Sequence, residues 1–198
     1  MTDYFTVFGL PRKLVVDASA LQRRFYELSR EHHPDFHQGA AAERQAEALT
    51  QSAVVNRAYR ALRDPLSRVE YLIALEEGRE VREGATDKPK APRELLLEMM
   101  EVQEALEEAK TEGMGGEARE RLREERARLE ARYAAEASAI EGRSAEWDRL
   151  VEAGGDRKAL LEWFKQRLAT RAYLRTVIDD LSDALGEREE SHVSHRRH

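Results

Sequence analysis

The tripeptide His33-Pro34-Asp35 constrains this chain more than any other feature, because of what flanks it. The twelve residues from Leu21 to His32 carry a helical pattern, and a second helical pattern runs over 42–62. Proline lacks an amide hydrogen and pushes its predecessor out of the helical region, so the first of these helices has to end near His33. The imidazole of His33 and the carboxylate of Asp35 are then displayed on a short, rigid, exposed turn between two helices. Such a turn offers a contact surface and lacks the walls of an active site. His33 and His37 stand four apart, but Pro34 breaks the helix that would align them, so no metal site is expected here.

The pattern extends to both sides of the turn. Asp3 suits an N-cap for a short first helix, which Gly9 and Pro11 stop. Asp17 suits the cap of the next, where Leu21, Phe25 and Leu28 fall on one stripe and leave Arg23, Arg24 and Arg30 on an exposed basic face. In the third helix Ala48, Ser52, Val55, Tyr59 and Leu62 share a face until Asp64-Pro65. A shorter fourth helix over 66–75 points Val69, Leu72 and Ile73 inward. These elements predict an antiparallel helical hairpin with a helix on each flank.

This arrangement resembles the J-domain, the module that docks on DnaK-type ATP-driven chaperones through a His-Pro-Asp turn. The opening Asp3-Tyr4-Phe5-Thr6-Val7-Phe8-Gly9-Leu10-Pro11 and the later Asn56-x-Ala58-Tyr59-x-x-Leu62-x-Asp64-Pro65 extend the resemblance over the first 75 residues. It implies that His33, Pro34 and Asp35 contact a chaperone. Arg23 and Arg24 would then complement an acidic partner surface and steer a fast, weak association. The plain alternative for the two arginines is an ordinary solvated face.

Charge and composition narrow the classes further. Charged residues make up 36% and hydrophobic ones 41%, which suits solvated helices and is thin for one large core. Residues 1–75 are nearly neutral, with ten Lys+Arg against nine Asp+Glu, while 76–198 hold 23 against 30. Such an acidic chain with interspersed signs is not expected to bind nucleic acid. The absence of cysteine excludes a disulfide framework, thiolate metal sites and a cysteine nucleophile. No apolar run reaches the length of a membrane span and no secretory signal is visible, so a cytoplasmic protein is expected. No segment holds a phosphate loop or paired catalytic residues; neither enzymatic activity nor a cofactor is expected.

Residues 76–92 mix Gly78, Gly84, Pro89 and Pro92 with charges and read as a linker. Three long helical patterns follow, over 93–110, 117–140 and 156–185, with a short helical piece carrying Trp147 between the last two. The expected fold is all-α, a J-domain at 1–75 and a three-helix bundle at 93–186, with a disordered tail over 187–198. In the first bundle helix Leu95, Met99, Val102 and Leu106 suffice for a core stripe. Leu96, Leu97 and Met100 are surplus to it, and Glu101, Glu104 and Glu108 continue their line. The residues allow two readings: an exposed apolar patch beside an acidic ridge, suited to a protein partner, or a wide core stripe that absorbs all the apolar side chains.

Taken together, Tyr4 to Pro11 at the start, the turn at His33, Arg68-x-Glu70-Tyr71-Leu72, and a bundle opening on Leu96-Leu97-Glu98-Met99-Met100-Glu101 look like the HscB family of J-type co-chaperones of iron–sulfur cluster assembly. The resemblance reaches to about Gly186. It implies a J-domain that stimulates a DnaK- or HscA-type chaperone and a bundle that carries the cluster scaffold protein IscU. By position, the scaffold site falls on Leu96, Leu97, Met100, Glu101, Glu104 and Glu108, with Tyr173 as an aromatic contribution from the last helix. The chain departs from the family in a longer connection over 154–163 and in lacking the N-terminal zinc-binding extension of some eukaryotic members. Two rivals remain: a general J-protein for unfolded clients, and a structural helical protein that assembles through its bundle.

Overall fold

A computed structural model describes residues 3–37, 39, 41–79 and 92–187. Most of the expected linker and all but the first residue of the expected tail lie outside the described residues. Every regular element among those described is helical. Two compact units emerge, one formed by Met1–Thr86 with Ile140–Phe164, the other by Asp87–Ala139 with Lys165–His198.

In the first unit, helices α1 (Tyr4–Val7), α2 (Ala18–Glu31), α3 (Ala42–Arg63) and α4 (Pro65–Glu76) follow the capping logic of the sequence. Asp17 accepts from the amides of Ser19 and Ala20 at 2.8 and 3.0 Å, satisfying donors that the first turn of α2 leaves orphaned. Asp64 ends α3 in an extended conformation, as a residue before proline must, and caps α4 by accepting from Ser67 N at 2.8 Å. Proline at the first position of α4 has no amide to waste.

The hairpin packs through its aromatics. Phe25 of α2 stacks on Tyr59 of α3 with ring centroids 4.0 Å apart, and Phe8 lies against the same ring at 6.5 Å. Ala58 and Leu62 are fully buried beside them. Tyr71 of α4 stacks on Tyr4 at 4.5 Å, and its hydroxyl accepts from Tyr4 N at 2.8 Å, which ties α1 to α4. Arg68 is buried, an unusual place for a cation. Its Nε donates to Leu62 O at 2.7 Å and its Nη1 to Leu14 O at 2.5 Å, so one guanidinium satisfies the end of α3 and the α1–α2 loop together.

Helix α7 (Ser144–Glu152) departs from the expected division of the chain. Sequence placed 140–164 in the C-terminal bundle, whereas this stretch forms one unit with the N-terminal residues. Asp148 accepts from Leu14 N at 2.7 Å and Val15 N at 2.9 Å, and Glu152 pairs with Lys13 at 2.5 Å. Trp147 is completely buried, with Phe164 6.3 Å from its ring and the Arg157 guanidinium over it at 5.4 Å. Arg157 also reaches Glu76 at 3.4 Å. Polar groups separated by over a hundred residues leave no local pattern, which is why this grouping was not readable.

The second unit packs α5 (Arg93–Thr111) with α6 (Gly116–Gly142) up to Ala139 and α8 (Lys158–Leu185) from Lys165 onward. Its core joins Leu95, Met99, Val102 and Leu106 to Leu122 and Leu129 and to Leu174, Val177, Ile178 and Leu181. Glu136 is buried and accepts from Arg167 at 3.0 Å, and Arg171 lies 3.6 Å over the Tyr133 ring while donating to Tyr133 O.

Candidate protein-binding surfaces

The His-Pro-Asp turn is built by two stops. The amide of His32 bonds back along α2 to Leu28 O at 3.0 Å and that of His33 to Arg30 O at 3.5 Å, and Pro34 then opens a 3₁₀ turn over Pro34–His37. Phe36 N closes that turn on His33 O at 3.1 Å. The amide of Asp35 donates to His33 Nδ1 at 3.2 Å, and the Asp35 carboxylate lies 3.6 Å from the same nitrogen. With Nδ1 accepting, a neutral ring carries its proton on Nε2, whose N–H remains a donor for a partner. The Phe36 ring stands edge-on to His33 at 5.9 Å. Both charged-type side chains are over half exposed, at 52% and 71%. The turn is thus locally fixed and outwardly open.

Arg23 and Arg24 are exposed on α2 as expected. They are not equivalent. Arg24 is paired with Glu27 one turn on, at 2.9 Å, so part of its charge is met within the helix.

On α5 the seven large apolar side chains divide. Leu95 and Met99 are buried, at 2% and 5% exposure, while Leu96, Leu97 and Met100 stand out at 39%, 52% and 58%. At 100° per residue Leu97, Glu101, Glu104 and Glu108 run along the side nearly opposite the core stripe, with Met100 and then Leu96 on its flank. All three glutamates are exposed, whereas Glu98 is tied to Arg128 and Arg132 of α6 at 3.2 and 2.5 Å. Tyr173 occupies a different setting: its ring is half-buried and packs on the bundle core.

Two further apolar side chains, Phe36 and Leu49, were not singled out from sequence, yet are 67% and 62% exposed. The signal was available for Leu49, which falls outside the Ala48–Ser52–Val55 face.

The comparisons with known proteins agree with this geometry. The DnaJ domain family matches residues 3–71. Over 93% of its length this chain superposes on chaperone HscB from Vibrio cholerae, covering 99% of that chain at 27% identity and a TM-score of 0.59. Human co-chaperone protein HscB matches over 92% of this chain and 81% of its own, at 26% identity and a TM-score of 0.61. The chain carries a DnaJ domain and is similar to HscB co-chaperones over most of its length. Coverage reaching through both units, rather than the J-domain alone, sets this chain apart from a bare J-domain. It is a J-domain co-chaperone. Among the described residues no helix is long and apolar enough to cross a membrane.

Proposed function

We propose that this protein binds an IscU-type iron–sulfur scaffold through α5, presents it to a DnaK- or HscA-type chaperone, and stimulates that chaperone's ATPase through the His33-Pro34-Asp35 turn. It performs no chemistry itself. What supports the reading most is the division of α5: one helix carries both a complete core stripe and a separate exposed apolar face of Leu96, Leu97 and Met100. A helix whose only task was to hold a bundle together would leave that second face polar. The flanking Glu101, Glu104 and Glu108 would act as rim charges that orient a basic partner surface, while the apolar trio supplies most of the affinity. Tyr173, half-buried, is proposed as a lesser contributor.

At the other surface, the turn offers the Nε2–H of His33 and the carboxylate of Asp35 at fixed separation, and Arg23 with Arg24 supplies the approach to an acidic chaperone surface. The test uses both partners. Steady-state ATP hydrolysis by the chaperone should rise with the wild-type chain, stay at its basal rate with His33→Gln, and rise again with scaffold and wild type together. Calorimetry should show the scaffold bound by wild type and by His33→Gln alike, but lost on combined replacement of Leu96, Leu97 and Met100 by alanine. Equal stimulation by wild type and His33→Gln removes the chaperone role; unchanged scaffold binding by the triple variant removes the α5 site.

A further inference from the structure

The seam between α5 and α8 borders the exposed apolar face. Glu98, near the start of α5, meets Arg128 and Arg132 of α6, so these two helices are antiparallel. α8 also runs against α6, because Arg167 meets Glu136 while Arg119 donates to Leu185 O. α5 and α8 are therefore parallel. Across their seam Gln103 Nε2 donates to Asp180 Oδ2 at 2.8 Å, which fixes the register. Seven residues are about two helical turns, so Leu96 lies on the flank of α5 that carries Gln103. By the same count Tyr173 lies on the flank of α8 that carries Asp180, at the level of Leu96. Met100, 58% exposed, stands one turn before Gln103.

Asp180 is exposed, and the bond from Gln103 is the one it accepts among the described residues. Its neighbour Asp179 differs, being met by Arg175 at 3.0 Å. A neutral amide thus holds the Asp180 carboxylate in place and leaves its charge uncompensated.

We infer that the scaffold-binding surface continues from α5 across this seam onto α8, where Asp180 selects a lysine or arginine side chain of the scaffold and Gln103 positions it. The inference rests on the reading of α5 proposed above. Continuity and charge select this occupant. A partner seated on Leu96 and Met100 reaches Asp180 about one turn, or about 5 Å, further along the seam. A basic side chain suits that path, since its methylene stem can lie on Met100 while its head meets the acid.

Calorimetry of the full chain with a purified IscU-type scaffold tests this. Asp180→Asn should raise Kd about fivefold and Asp180→Lys on the order of thirtyfold. Both losses should fade in about 1 M salt, where the screening length falls to about 3 Å. Asp179→Asn, whose charge is already met within the helix, should bind as wild type. Gln103→Ala should weaken binding about threefold in the wild-type background and add nothing to Asp180→Ala, whereas a merely structural role would add its loss in both. Melting temperatures should stay put, because these positions lie at the surface. An unchanged Kd in both Asp180→Asn and Asp180→Lys overturns the inference. So does an equal loss in Asp179→Asn, which would reduce the effect to overall charge. The combined alanine replacement of Leu96, Leu97 and Met100 is run alongside. Normal binding by that variant defeats the α5 reading itself; loss of its binding beside unaffected Asp180 variants removes the extension onto α8 alone.

Discussion

Asp148 accepts the backbone N–H of Leu14 at 2.7 Å, joining residues 134 positions apart. Its other carboxylate oxygen takes Val15 N at 2.9 Å, so a single side chain of α7 holds the loop that connects α1 to α2. Leu14 is buried, and removing Asp148 takes away the acceptor of its amide. Asp148→Ala should therefore destabilise the protein by about 2–4 kcal/mol, as expected for two charge-assisted bonds with a buried donor left over. Asp148→Asn keeps one carbonyl acceptor and should lose about half as much. Urea denaturation of the full chain checks both; a loss below 0.5 kcal/mol, roughly the surface-mutation range, would mean that α7 merely rests on the loop.

Arg68 works from the opposite side of the same loop, donating to Leu14 O and Leu62 O. Its burial pulls the guanidinium pKa down, the nearby Asp64 and Asp148 pulling it back up, yet arginine stays charged at any ordinary pH. A lysine ammonium cannot span both carbonyls as a planar fork does. Arg68→Lys should cost about 1–3 kcal/mol, and Arg68→Ala more, since it also opens a cavity. A lysine variant as stable as wild type in denaturant would show that one of the two bonds is dispensable.

The two faces of α5 predict opposite responses to truncation. Met99→Ala, in the core, should cost about 2–5 kcal/mol. Leu97→Ala and Met100→Ala should each stay within about 0.5 kcal/mol, with Leu96→Ala slightly worse because its flank is less exposed. Thermal melts of the four single variants decide the matter. A melting temperature for Met100→Ala as low as that of Met99→Ala would make the outer face part of the core.

Tyr71 sets an alkaline limit. Burial raises its phenol pKa, partly offset by the hydrogen bond from Tyr4 N. A folded pKa above the unfolded one means the contribution is fully present below the unfolded value, about 10, and is lost as pH rises through the folded value. Stability should fall above about pH 10 in the wild type. That fall should be shallower in Tyr71→Phe, which lacks the phenol and starts lower at neutral pH. Denaturation midpoints at a series of alkaline pH values, compared between the two chains, test the sign.

If Arg23 and Arg24 steer the chaperone, the association rate should drop with added salt, since exposed charges are screened within about 8 Å at physiological ionic strength. Arg23→Glu should slow association more than Arg24→Glu, because Glu27 already meets part of the Arg24 charge. Stopped-flow rates at low and high salt measure this; indifference to both reversals returns the arginines to a solvated face.

Local signals in the sequence were reliable wherever the physics was local. Asp3, Asp17 and Asp64 cap the helices they were expected to begin or end, because a cap joins atoms only two or three residues apart. Periodicity likewise picked out Leu21, Leu28, Val55, Leu62 and Leu72 as core, since 3.6 residues per turn places them on one side whatever they pack against. The same periodicity described α5 fully but left two readings of its surplus leucines and methionine. Only packing resolved them: whether Leu97 is core depends on how many neighbours α5 has, and that number is not written in α5.

The sequence by itself determined the helices, their caps and the proline-made turn at His33, because covalent geometry and short-range hydrogen bonds settle those within a few residues. Tertiary structure alone decided that α7 joins the N-terminal unit, that Arg68 is buried, and that the surplus Leu96, Leu97 and Met100 of α5 face outward. Those outcomes depend on which surfaces distant segments exclude from water. Residues such as Leu14 and Asp148 meet only after the whole chain has folded, so neither carries a sign of the other in its own neighbourhood.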